Sequence, residues 1–150
     1  MPESTTSLVF PDVNVWLALT AARHVHYLVA RDWLADLSED SRLFFCRFTQ
    51  LGLLRLLTSE AVMGEDVMNR TQAWDAYDAW VQHERVDFID EPVEIEGRFR
   101  SGTRSRRPAT KDWADAYLVA FAGAAHLTLV TFDRALRTKA RPIVLLSETL

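Results

Sequence analysis

Short apolar runs alternate with longer amphipathic stretches along the chain. Residues 8–10, 43–46, 86–89, 127–131 and 143–146 are brief and rich in β-branched, aromatic or leucine side chains, and they read as buried strands. Between them the spacing predicts helices. The first covers 13–22, with Val15, Trp16 and Leu19 on one side. A second covers about 25–37 through Tyr27, Leu28, Trp33, Leu34 and Leu37, and a third covers 49–57 with Thr49 as its N-cap. A fourth runs over 71–83 through Trp74, Tyr77, Trp80 and Val81, and a weaker one over 92–99. The most distinctive helix runs over 110–125. Thr110 is placed to cap it, Asp112 and Asp115 occupy its first turn, and an alanine-rich apolar stretch follows. A short helix begins at Asp133. Residues 38–41, 59–69 and 101–108 read as polar connections or loops, and no internal repeat or linker interrupts the series.

Strands alternating with helices imply an α/β fold of three layers, α/β/α, around a central parallel sheet of four to five strands. In such sheets ligands bind outside the carboxyl ends of the strands, where the strand order switches. Asp12 falls directly after the first strand and Asp133 just after a later one. Asp115 opens the helix that leads into that later strand. All three are expected on one edge of the sheet.

Composition narrows the chemistry. At 150 residues the chain is expected to form a single domain over 1–150 with a sizeable core. A formal charge of −4 argues against a generally basic coat for nucleic acid, though it leaves room for a local basic patch. Cys46 is the only cysteine, so neither a disulfide framework nor a cysteine-based zinc site is expected. The first residues lack the basic and apolar segments of a signal peptide. No apolar run approaches the roughly 20 residues that span a bilayer. A cytoplasmic protein with no membrane partner is the expectation.

Suppose Asp12, Asp115 and Asp133 converge. Two unit charges ~4 Å apart repel by ~4 kcal/mol at an effective dielectric near 20. Three ionised carboxylates then require protons or a cation. All-oxygen ligation suits magnesium or manganese, hard ions that bind phosphates, and metal-assisted phosphodiester hydrolysis is the chemistry that follows.

With these residues in place, the chain resembles the PIN-domain ribonucleases, specifically the VapC-type toxins of VapBC toxin–antitoxin pairs. The segments LVFPDVNVWLAL at 8–19, FTQLGLLRLL at 48–57 and DAYLVAFAGAAHLTLVTFDRAL at 115–136 carry the resemblance in the family's order and spacing. It implies a PIN-like fold and endoribonuclease activity that depends on Mg2+ or Mn2+. It also implies an RNA substrate, a cognate antitoxin and, commonly, a homodimer. Residue by residue, Asp12, Asp115 and Asp133 match the metal-binding acids, and Asn14 and Thr131 match polar positions that support them.

The resemblance breaks at one point. The family usually places a glutamate in the helix after the second strand, in a Thr-x-x-Glu pattern. Here Thr49-Gln50-Leu51 is followed by Gly52. Asp112, one turn before Asp115, can supply the missing charge or simply favour a helix N-terminus. Because of Gly52, a catalytically weak or silent PIN-fold module that binds RNA or a partner remains an alternative. A haloacid-dehalogenase-like phosphohydrolase would want Asp-x-Asp after the first strand, where this chain has Asp12-Val13-Asn14.

Other features have plainer readings. Asp75 and Asp78 are expected on a solvated helix face, and His24 and His26 on the surface. The tryptophans at 16, 33, 74, 80 and 113 are expected in core or dimer packing more than as stacking platforms. Residues 98–111 hold Arg98, Arg100, Arg104, Arg106, Arg107 and Lys111 with no acid among them. That run is a solvated loop, a phosphate-contacting rim in which Arg104, Arg106 and Arg107 meet RNA, or a dock for an acidic antitoxin segment.

Overall fold

The computed structural model describes residues 6–147. Its centre is a five-stranded, wholly parallel sheet: β1 (Leu8–Pro11), β2 (Arg42–Phe45), β3 (Val86–Phe88), β4 (Thr128–Thr131) and β5 (Ile143–Leu145), in the order β3-β2-β1-β4-β5. The chain begins in the middle, winds outward to β3, then crosses back to build β4 and β5 on the other side. The strand order therefore switches between β1 and β4, whose register pairs Val9 with Thr128 and Pro11 with Val130. That is where a parallel sheet leaves a crevice.

Side chains along β1 and β4 alternate between two cores, as a pleated strand buried on both faces requires. Val9 and Val130 enter one core with Trp16, Leu43, Phe45, Leu53 and Leu57. Phe10 and Leu129 enter the other with Leu118, Phe121 and Leu136. Helices α1 (Val13–Thr20), α2 (Tyr27–Asp36), α3 (Arg47–Leu57) and α5 (Arg70–Val81) supply the first core, and α6 (Ile95–Thr103) and α7 (Asp112–Ala125) the second. This is the three-layer α/β/α arrangement expected from the sequence.

Several expected boundaries move, each for a local reason. Helix α3 starts at Arg47, not at a Thr49 cap. Cys46 is the N-cap, and the Thr49 hydroxyl reaches back to accept from the Cys46 N–H at 3.0 Å. Thr49 thus plays the return half of a capping box. Asn69 and Gln72 form another such box, starting α5 at Arg70. The connection 59–69 is not featureless, since Ser59 caps a turn of helix, α4 (Glu60–Met63), followed by a 3-10 turn over Gly64–Asp66. Helix α6 begins later than expected and continues through Thr103, into the stretch read as loop. Thr110 does not cap α7. Lys111 holds the N-cap position without a side-chain bond, and the helix begins at Asp112. The helix expected from Asp133 is a single 3-10 turn, Arg134–Leu136.

Candidate metal and nucleic-acid site

Asp12 is the residue on which the crevice turns. Pro11 ends β1, and Asp12 is the N-cap of α1, so its side chain is fixed at the carboxyl end of the central strand. Its backbone N–H donates to the Val130 carbonyl at 2.8 Å, which ties it to β4. It is 8% exposed. The fully buried Thr131 hydroxyl donates to Asp12 Oδ2 at 2.9 Å and accepts from the Asp133 N–H at 3.0 Å. One hydroxyl thereby fixes two acids of the crevice. Asp133 uses Oδ1 to accept from the Ala135 N–H at 2.9 Å, starting the 3-10 turn and leaving the side chain exposed.

Electrostatics show which acids share the space. Burial pushes the Asp12 carboxyl above its ordinary value of 3.8. The Thr131 hydroxyl and the Val13 N–H pull it back, and the charges of Asp115 and Asp133 push it up again. Asp115, half-buried on the first turn of α7, is raised by burial and then by Asp133. Lys139 lowers it, and Asp112 raises it slightly. Asp12, Asp115 and Asp133 are therefore near enough at the switch point for their charges to act on one another, while Asp112 acts on Asp115. Asn14 lies exposed on α1 and makes no hydrogen bond to these acids among the described residues.

The acids stand at repulsion distance rather than in a closed cage. Among the described residues, no three His, Cys, Asp or Glu side chains are gathered tightly enough to hold an ion as they stand. Neither is any of Asp12, Asp115 and Asp133 in a salt bridge among those residues. A buried carboxylate with a single hydroxyl partner, repelled by two others and without a pairing cation, is a donor set suited to a hard divalent ion that keeps part of its water.

Position 52 explains the departure from the glutamate pattern. A Cβ at Gly52 would come within 2.6 Å of Val13 Cγ2, because the Val13 side chain of α1 packs directly on the bare backbone of α3 there. Val13 fills the place where a longer residue would begin. The basic run leads into the helix that carries Asp115, with Arg104, Arg106, Arg107 and Lys111 all exposed between α6 and α7.

Other expected surface and core residues sort out clearly. Asp75 and Asp78 are exposed. Trp16 is fully buried, stacked on Phe45 at 3.8 Å, whereas Trp113 is 55% exposed beside Phe99. The histidines are not simply surface residues. Both are half-buried, and His26 stacks on Phe132, next to Asp133, at 4.6 Å. Sequence reasoning missed Lys139, which lies in a stretch of small and basic residues with no motif. It also missed the bond from the Tyr117 hydroxyl to Glu91 Oε2 at 2.6 Å, which only the packing of α7 against the segment after β3 creates.

A wholly parallel sheet with three aspartates near its switch point places the chain in a class, the α/β proteins whose sites lie at the carboxyl ends of their strands. The family follows. Residues 9–142 match the PIN domain model, and the chain belongs to the PIN-domain family. It is 40% identical over 128 residues to Ribonuclease VapC41 of Mycobacterium tuberculosis, spanning 83% of this chain and 88% of that protein. In fold it is similar to VapBC2 from Rickettsia felis, solved with a DNA fragment of its promoter, with a TM-score of 0.60 at 13% identity over 92% of this chain and 96% of that one. It is likewise similar to Mycobacterium tuberculosis VapC20, a sarcin-ricin loop cleaving toxin (TM-score 0.58, 14% identity, 81% and 86% covered).

Proposed function

We propose that the chain acts as a single PIN-like domain and is a VapC-type toxin, a metal-dependent endoribonuclease whose ion is Mg2+ or Mn2+. Asp12, Asp115 and Asp133 hold the ion directly or through water, with Asp112 an outer contributor. The observation that carries this reading is the buried Asp12 carboxylate, repelled by Asp115 and Asp133 at the switch point. A divalent ion held by these residues would supply a water of lowered pKa and charge to offset that developing on the phosphodiester oxygens.

The protein's own part is placement. Thr131 orients Asp12 and the Asp133 backbone, and Asn14 lies on the same edge, at the start of α1. Arg104, Arg106 and Arg107 form a rim that contacts RNA phosphates without reading sequence. In this reading water is the nucleophile: it attacks phosphorus, loses its proton to solvent, and the 3′- or 5′-oxygen leaves as the alcohol. The partners are RNA, a cognate antitoxin and a second copy of the chain, in the cytoplasm. Among the described residues, no helix is long and apolar enough to cross a membrane.

A silent binding module is the competing reading, favoured by Gly52 and by the open spacing of the acids. RNA cleavage measured with and without EDTA, alongside Asp115→Asn, separates the two. Cleavage abolished by either treatment supports the nuclease. RNA binding without metal-dependent cleavage supports the module.

A further inference from the structure

Helices α6 and α7 form a hairpin, and a groove of about 590 Å3 runs along their outer junction. Arg98 and Ser101 line it from α6, Asp112, Ala116 and Ala120 from α7, and Lys139 from beyond the 3-10 turn after Asp133. We propose that this groove is a substrate subsite that seats RNA nucleotides beyond the scissile phosphate, with the Arg98 guanidinium gripping a phosphate at its far end. The proposal rests on the endoribonuclease reading of the acids and extends it to the path of the RNA.

Three observations carry it. First, the groove runs beside the acids: Asp112 and Ala116, which flank Asp115 on α7, line it, and so does Lys139, whose charge reaches Asp115. Second, the far cation is seated against backbone. A Cβ at Gly123 would lie 2.7 Å from Arg98 Nη1, so the guanidinium rests on the bare surface of α7. Gly123 is eight residues beyond Asp115, about 12 Å at the rise of an α-helix. That distance puts Arg98 beyond the phosphate under attack and within reach of a later one. Third, the floor is open. A Cβ at Gly97 or Gly102 would meet nothing within 4 Å, so these glycines leave space rather than permit helix contact.

The chemistry of the lining selects the occupant. Arg98 and Lys139 are in no salt bridge among the described residues, which leaves both charges available for phosphate. Between them the alanine floor accepts the flat face of a base, and Ser101 and Asp112 offer hydrogen bonds to its edge. An acidic peptide would match the cations too, but its carboxylates bring no flat ring to lie on Ala116 and Ala120.

The test uses the full chain silenced by Asp115→Asn, with fluorescently labelled oligouridylates of stepwise increasing length, read by anisotropy over a salt series. Affinity is expected to rise with length until the RNA reaches Arg98, and then to level off. Arg98→Ala should remove that final rise and lower the salt slope by about one. Gly123→Ala keeps the charge but displaces the guanidinium, and should also blunt the rise. Gly97→Leu fills the groove at an open helical position and should weaken binding of the longer oligonucleotides without lowering the melting temperature. If Arg98→Ala and Gly97→Leu both leave the length dependence and salt slope unchanged while RNA is still bound, the groove is not the subsite. The subsite is equally ruled out if Arg98→Ala weakens binding of an acidic peptide but not of RNA. If the unsilenced chain cleaves no RNA with Mg2+ or Mn2+, the endoribonuclease reading fails, and the subsite falls with it.

Discussion

Replacing Thr131 with valine removes one oxygen and almost no volume from a fully buried position. Two bonds disappear, the donation to Asp12 Oδ2 at 2.9 Å and the acceptance from the Asp133 N–H at 3.0 Å. A hydrogen bond to an ionised group contributes about 1.5–3 kcal/mol, and each 1.4 kcal/mol is about tenfold in an equilibrium. The hydroxyl is the leading influence that holds the Asp12 carboxyl down against burial. Without it the proton competes harder with the ion, and Asp12 is free to turn away from Asp133. Thr131→Val should therefore weaken Mg2+ or Mn2+ binding about ten- to a hundredfold, the range expected when a group that orients a metal ligand is lost. Thr131→Ser, which keeps the oxygen, should stay close to the parent. Isothermal titration of each variant with metal, at a pH where the carboxylates are ionised, measures the difference directly. An unchanged affinity in the valine variant, with its fold intact by circular dichroism, would refute the claim that this hydroxyl organises the acids.

Asp12→Asn should abolish RNA cleavage yet raise the metal-free melting temperature by about 3 °C, because removing a buried, repelled charge is a gain on the order of 1 kcal/mol; a lower melting temperature contradicts it. Asp12 and Asp115 hold protons to higher pH in the folded chain than in the unfolded one. Their contribution to metal-free stability is therefore complete below the ordinary value of 3.8 and is lost as pH rises through the folded values. Stabilisation by added Mg2+ should grow over the same window, and thermal melts across pH with and without the ion test both halves. Gly52→Glu should destabilise the chain by about 1–3 kcal/mol in urea, because its Cβ meets Val13 at 2.6 Å, and Val13→Ala in the same chain should recover most of the loss.

The parallel sheet could be read from the sequence because its strands are buried on both faces and show as compact apolar runs. β1 and β4 lie at the centre of the order, and their flanking aspartates needed only the switch-point rule to be placed on one edge. Helix starts were harder to read. Thr49 looks like a cap by type, yet its hydroxyl serves the Cys46 N–H from inside the helix, a role that depends on φ and ψ rather than on residue identity. The reason for glycine at 52 was hidden for a different cause. It lies in the crossing of α1 and α3, and Val13 is distant in sequence. Lys139 and the Arg98–Gly123 contact likewise come from tertiary packing, which no local pattern encodes.

The order in which the strands are laid down has a consequence for the host cell. During synthesis Asp12 emerges first, but the strand that anchors its backbone and carries Thr131 is made more than a hundred residues later. A ribosome-bound chain that stops short of β4 holds Asp12 and Asp115 but lacks Asp133, Thr131 and the strand that anchors Asp12. In the proposed nuclease the crevice is complete only once β4 and Asp133 have been made, which gives a separately made inhibitor time to be waiting.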